Sequence, residues 1–398
     1  MASTRVLRPD DERDRPVKVS IRRGVYAAVA ASTMLVLAAC GSSASGDSTT
    51  SAGGDATTTS GEASEAPAAG NLSGNLAGAG ASSQAKAQEG WMAGFGELEP
   101  GVTVSYDAVG SSGGREQFLS GGVLFAGSDS AFKAEEITAA TDRCFGGEAL
   151  ELPLYISPIA VIYNLPDTGV DNIQLDAATI AKIFRGDITS WDDAAIADQN
   201  PDATLPATAI TVVNRSDDSG TTKNFTDYLF AASEGVWTDE ADDAWPLPSK
   251  QSGDGTSGMV TTVSSAVGAI GYADASQAGD LGTVALKVGE EYVPFSAEAA
   301  AAAVDTSELT DDATDLRITY KLNRTTTEAG VYPLVLISYL IGCSTYDDAA
   351  DAANVASYFG YLASEAGQER ANEAAGVAPI SDDLRAKVET AIASIKAS

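Results

Sequence analysis

Histidine is absent from this 398-residue chain. That removes the commonest general base and the commonest metal ligand together. Basic residues are scarce: 24 Lys+Arg stand against 56 Asp+Glu, a formal net charge of −32. Such a balance excludes nucleic acid as a partner and argues against adhesion to anionic lipid. Only three cysteines occur. After the first forty residues, no apolar run is long enough to cross a bilayer. What remains is ordinary: 44% hydrophobic residues, enough for a core, in a length that fits roughly two or three domains.

The N-terminus reads as an address. Arg22 and Arg23 precede a short apolar run from Val25 to Ala39, which ends in Leu37-Ala38-Ala39-Cys40. Residues 1–39 are therefore expected to be a signal peptide with a polar N-terminal extension. The small residues before Cys40 resemble a bacterial lipoprotein box, which implies cleavage there and a lipid on the Cys40 thiol. Residues 40–70 are rich in Ser, Thr, Gly and Ala, without an aromatic or basic residue before Asn71. Such a segment cannot bury enough apolar surface to fold and is expected to act as a tether. Two cysteines remain, Cys144 and Cys343. In an exported chain a bond between them is the expectation, with two separate buried thiols as the alternative.

From Asn71 onward, strand-like and helix-like runs alternate, which predicts an α/β fold with ligands at the carboxyl ends of strands. Val102–Tyr106 alternates like a strand, and Gln84–Leu98 carries Trp91, Phe95 and Leu98 at helical spacing. Two long apolar segments, Leu152–Tyr163 and Val331–Ile341, are expected to cross between domains. Asp176 to Phe184 predicts a capped helix ending before Gly186. Ala349–Gly367 and Asp382–Lys396 each predict one helix.

Three turns share one chemistry: Ala81-Ser82-Ser83, Ser111-Ser112-Gly113-Gly114 and Ser219-Gly220-Thr221-Thr222. Each sets hydroxyls and free N–H groups at a helix start, where the helix dipole favours an anion. Arg215 adds a planar fork suited to a tetrahedral oxyanion, and Asp217 is placed to hold that fork. Capping alone accounts for a single such turn; three plus an arginine point to one small anion. Asp129 is the exception, since an ionised carboxylate only accepts hydrogen bonds. It either caps the helix near Glu135 or accepts a proton carried by the ligand. Phosphate near neutral pH carries a proton and sulfate does not, so Asp129 would select between them.

Four segments appear in order: Gly78–Ser82, Val109–Gly114, Phe125–Asp129 and Arg215–Thr221. Together they resemble the PstS family, the phosphate-binding lipoproteins of ABC phosphate importers. The run Ile183-Phe184-Arg185-Gly186-Asp187 to Asp193 is similar to another stretch of that family. The likeness covers about Asn71 to Ser398. It implies a type II periplasmic-binding-protein fold: lobe I from 71–158 plus 330–398, lobe II from 159–329, with the ligand between. Carried over by motif, Ser82, Ser83, Ser111, Ser219, Gly220 and Thr221 would donate to phosphate, Arg215 would pair with it, and Asp129 would accept its proton. Two positions depart from the family pattern: Ser83 stands where Phe is frequent, and Asp218 where Gly is usual. The resemblance further implies a monomer with no cofactor, located outside the cytoplasmic membrane and delivering to ABC permease subunits. A sensing or surface-binding lipoprotein with the same site is the alternative. A phosphoester hydrolase is disfavoured, because a serine nucleophile needs a base and this chain has no histidine.

Overall fold

The structure is a computed structural model and describes residues 70–398. The expected export signal, Cys40 and the expected tether up to residue 69 lie outside the described residues. No helix among the described residues is long and apolar enough to cross a membrane.

In chain order the elements begin with β1 (Gly74–Gly80), a 3-10 turn (Ser82–Gln84), α1 (Ala85–Leu98), β2 (Val102–Asp107), α2 (Ser111–Leu119), β3 (Phe125–Ser128), α3 (Ala134–Arg143) and β4 (Ala149–Tyr163). Next come β5 (Asn172–Leu175), α4 (Ala177–Arg185), α5 (Ala194–Ala197), β6 (Thr211–Arg215), α6 (Gly220–Ala232), β7 (Gln251–Gly253), α7 (Gly255–Ser264), β8 (Ala269–Asp274), β9 (Gly282–Val288), β10 (Glu291–Val293) and α8 (Ala297–Asp305). A ribbon of β11 (Glu308–Leu309) and β12 (Tyr320–Lys321) leads to β13 (Val335–Cys343), β14 (Thr345–Tyr346), α9 (Ala349–Ala363), α10 (Glu365–Ala375), α11 (Asp382–Ile392) and β15 (Lys396–Ala397).

β4 organises the sheets. All fifteen of its residues are buried, so it has no solvent face to alternate with. Its first part pairs antiparallel with β13, from Ala149 opposite Cys343 to Pro158 opposite Val335. From Ile159 onward it pairs with β8. Two prolines inside a central strand need an explanation, because proline cannot donate to the ladder. Pro153 sits at the irregularity opposite Ser338 and Tyr339, and Pro158 sits where the partner strand changes. Both occupy places where the regular ladder is already interrupted.

β1 pairs in parallel with β2 and β3, and β6 in parallel with β7 and β8. Parallel pairing brings successive carboxyl ends, and the turns that follow them, to the same edge. Aromatic rings fill the space between sheets and helices. Trp91 meets Tyr155 edge to face, Phe125 touches Tyr358 and Phe359, and Phe225 stacks on Tyr272 at 4.3 Å. Each such buried ring contributes about 1.5–3 kcal/mol. Cys144, at the end of α3, is bonded to Cys343 at the end of β13, with 5.1 Å between their Cα atoms.

Several segments differ from the sequence expectation. The strand expected from Val331 begins at Val335, after Pro333. The single helix expected over Ala349–Gly367 is two, broken at Ser364, whose hydroxyl accepts from the Gly367 N–H and starts α10. α4 starts and stops as its caps dictate, with Asp176 accepting from the Thr179 N–H and Gly186 in the left-handed region after the last turn.

Candidate functional site

Four helix starts converge on Asp129 and Arg215. The 3-10 turn follows β1, α2 follows β2, α6 follows β6, and α7 follows β7. The first N–H groups of each have no partner within their own helix, and each adds a partial positive charge. A net charge of −32 does not reach this edge as such, because oriented dipoles decide the local potential.

Arg215 ends β6 and is 3% exposed. Its Nε donates to Asp217 Oδ1 at 2.7 Å, its Nη2 donates to Asp217 Oδ2, and Nη2 also donates to Ser82 Oγ at 3.1 Å. Asp217 Oδ1 accepts from the Gly255 N–H as well, at 3.0 Å. Burial pushes the Asp217 carboxyl up, but the Arg215 guanidinium and that N–H hold it below the ordinary range. Ser82 Oγ accepts from the Thr256 N–H at 3.0 Å. The α7 start thus supports both the arginine and its serine.

Asp129, just past β3, accepts three hydroxyls: Ser83 at 2.6 Å and Ser338 at 2.5 Å on Oδ1, and Thr221 at 2.9 Å on Oδ2. Its backbone N–H donates to Ser111 Oγ. Burial pushes its carboxyl above the ordinary range, outweighing those hydroxyls and the Arg215 charge. Asp129 does not cap α3. Lys133 holds that position, and its N–H donates to Glu136.

Gly220, first in α6, allows a close approach in the site. A Cβ there would lie 2.5 Å from Ser111 Oγ and 2.7 Å from Asp129 Cβ. Ser219 caps α6 by accepting from the Thr222 N–H. The side chains of Ser82, Ser83, Ser111, Asp129, Arg215, Ser219 and Thr221 are all buried. A cleft of about 660 Å³ between α6 and the β11–β12 ribbon reaches Asp129 and is bordered by Lys223, Asp227 and Arg324. Arg215 and Ser82 do not line it.

The residues singled out in the sequence for a small anion, Ser82, Ser83, Ser111, Asp129, Arg215, Asp217, Ser219, Gly220 and Thr221, therefore meet around one edge. Sequence reasoning missed Thr256, Gly255 and Ser338. The first two belong to a fourth glycine-hydroxyl turn, Gly253-Asp254-Gly255-Thr256, which was readable as one. Ser338 shows only as the lone hydroxyl inside Val335–Ile341, a stretch otherwise apolar but for the Tyr339 phenol. No group of three or more residues suited to a metal ion occurs among the described residues.

An edge of helix starts between two sets of strands, joined through β4 and β13, fits the type II periplasmic-binding-protein fold. A family model described as a PBP superfamily domain matches residues 55–366. Phosphate-binding protein PstS 3 of Mycobacterium tuberculosis is 34% identical over 381 residues, covering 94% of this chain and 99% of the relative. Phosphate-binding protein PstS 3 of Mycobacterium leprae is 32% identical over 339 residues, 83% of this chain and 90% of the relative. Among solved structures, a periplasmic phosphate-binding protein, PfluDING, aligns with a TM-score of 0.64 at 21% identity, covering 80% of this chain and 93% of that one. A phosphate-binding protein from Stenotrophomonas maltophilia aligns with a TM-score of 0.62 at 18% identity, covering 80% and 94%. The chain belongs to the PstS family of the periplasmic-binding-protein superfamily.

Proposed function

We propose that this protein binds inorganic phosphate outside the cytoplasmic membrane and delivers it to the permease of an ABC importer. The observation that carries the reading is the pairing of opposites in one buried site: a guanidinium and four helix starts beside a carboxylate. The cations and dipoles attract any small oxyanion. The carboxylate repels one unless it brings a proton to donate. Phosphate satisfies both conditions and sulfate only the first.

In this reading Arg215, steadied by Asp217, pairs with phosphate oxygens. Ser82 and Ser111 donate with hydroxyl or backbone groups, and Ser219 with its hydroxyl, since its N–H is bonded to the Asp243 carbonyl. Ser83, Gly220 and Thr221 donate through backbone N–H groups, since the Ser83 and Thr221 hydroxyls are turned to Asp129. Asp129 accepts the ligand proton. The lobes are 71–158 with 330–398, and 159–329. The change of partner along β4 between Pro158 and Ile159 supports that division. Closure of the lobes would surround the anion with donors in a low dielectric, where charge-assisted bonds are strong. The role is binding, not turnover. Lipidation at Cys40, after Leu37-Ala38-Ala39, would tether the protein as a monomer near its permease.

Titration of phosphate-stripped protein tests this. Phosphate is expected to bind with a micromolar or tighter dissociation constant, about −8 kcal/mol or better, and sulfate far more weakly. Equal affinity for the two would overturn the reading of Asp129. Asp129→Asn is expected to narrow the phosphate-over-sulfate ratio by about tenfold, the scale of one hydrogen bond to a charged group.

A further inference from the structure

Asp129 is reached by a buried chain of hydrogen bonds that the roles above do not use. Tyr358 on α9 donates from its hydroxyl to Gln88 Oε1 at 2.8 Å. Gln88 Nε2 donates to Gln84 Oε1 at 2.9 Å, and Gln84 Nε2 donates to Ser338 Oγ at 2.6 Å. Ser338 then donates to Asp129 Oδ1 at 2.5 Å. Every member is at most 4% exposed. Gly127 leaves the room for it, since a Cβ there would lie 2.8 Å from Gln84 Oε1.

As its amides are placed, the chain runs one way, from the Tyr358 phenol to Asp129. An amide oxygen only accepts and an amide nitrogen only donates. With Gln88 Nε2 on its oxygen, Gln84 must turn its NH2 toward Ser338. Turning Gln84 over would set two N–H groups against each other. The Ser338 oxygen receives Gln84, so its single proton goes to Asp129. The phenol that starts the chain stays protonated, because burial pushes its pKa well above the ordinary value.

The acceptor count at Asp129 follows. A carboxylate offers about four lone-pair sites. Ser338 and Ser83 take both on Oδ1, and Thr221 takes one on Oδ2. One site is left, on Oδ2. We propose that Gln84 and Ser338 are specificity-determining positioning residues: their polarised relay keeps Asp129 an obligatory acceptor, with one lone pair on Oδ2 for the proton of a protonated tetrahedral oxyanion. The proposal rests on the phosphate reading above.

The relay matters because burial drives Asp129 the other way, toward its neutral form. A neutral Asp129 carries an O–H of its own and can donate to an anion without a proton, so it no longer rejects sulfate. The other charged or titratable groups around it are Arg215 on β6, Tyr106 on β2, and Lys223, Asp227 and Arg324 across the cleft. Arg215 is the charge that favours the ionised form at Asp129, and it is already engaged by Asp217. Ser338 is foremost among the hydroxyls that do so.

The test uses the whole chain with Ser338→Ala and Gln84→Glu. The glutamate keeps the shape of the glutamine but accepts from both neighbours, turning the Ser338 proton away from Asp129. Phosphate and sulfate affinities are measured by calorimetry from pH 5 to 9. Each variant is expected to narrow the phosphate-over-sulfate ratio by about tenfold and to move the acid-side fall in phosphate affinity to higher pH. Ser338→Thr, which restores the hydroxyl, should restore both. A packing defect alone would weaken both anions together and leave the ratio and the pH profile in place. That result, in a variant that melts cooperatively, overturns the relay. Gln84→Glu carries the same decision if Ser338→Ala does not fold. Failure of the unmutated protein to bind phosphate would overturn the underlying reading as well. Binding with discrimination that neither variant alters would overturn the relay alone.

Discussion

Two buried arginines, Arg115 and Arg215, stand at the same edge and do different work. Both are at most 3% exposed and both pair with an aspartate. Arg115 on α2 meets two carboxylates. Its Nε donates to both oxygens of Glu136 at 3.1 Å, and its Nη2 donates to Asp243 Oδ2 at 2.8 Å. Nη1 donates to Ser128 and Nη2 also to Ser112. Asp243 in turn accepts from the Ser112 and Ser130 hydroxyls, and its backbone carbonyl accepts from the Ser219 N–H. Arg215 meets one carboxylate, Asp217, and one serine. Arg115, held by two acids, has its charge cancelled and four of its five N–H groups engaged, so it serves as a clamp between α2 and the start of α6. A guanidinium held by a single acid keeps orientation and still has charge and donors to offer an anion.

The sharpest way to break this contrast is to remove each guanidinium. Arg115→Met leaves two buried carboxylates without their counter-charge, and a loss on the order of 3–5 kcal/mol in stability is expected. Chemical denaturation reads that loss, while phosphate affinity of the folded protein should fall less than tenfold. Arg215→Met is expected to do the reverse. It should lower phosphate affinity by about a hundredfold, with a smaller shift in the denaturation midpoint. Matching patterns of stability and affinity loss in the two variants would erase the distinction.

The smallest expected effect is a difference in sign with pH. Burial raises the Asp243 carboxyl, but Arg115 and its hydroxyl partners outweigh it and hold the pKa below the ordinary range. Its stabilisation is therefore fully present above the unfolded value of about 3.9 and is lost as pH falls through the folded value. Asp129 runs the other way. Its folded pKa is raised, so its contribution is full below the unfolded value and is lost as pH rises through the folded one. Asp243→Asn should thus flatten the rise in stability from acid to neutral pH, and Asp129→Asn should steepen it, each by on the order of 1 kcal/mol. Changes of the same sign in both variants would contradict the assignment of one carboxylate as paired and the other as burial-dominated.

Part of this was readable before folding. The turns at Ser82, Ser111 and Ser219 announce themselves because capping chemistry acts over three or four residues. Arg215 and Asp217 are two residues apart and share one turn. Ser364 is legible by the same capping logic, since its hydroxyl accepts from the Gly367 N–H three residues on. Ser338 was not legible as a contact of Gln84, because 254 residues separate them. Nor could any local rule tell Arg115 from Arg215, since Asp243 lies 128 residues beyond Arg115.

The sequence by itself determined the alternation of strands and helices and the helix starts that favour an anion, with Asp129 and Arg215 as candidates beside them. These depend on short-range periodicity and on hydrogen bonds between near neighbours. Only the tertiary structure decided which arginine is spent and which still has donors, and which way the Ser338 proton points. Those outcomes depend on the number of partners each buried polar group finds, and such partners come from strands and helices far apart in the chain, brought together when the sheets bury their apolar faces.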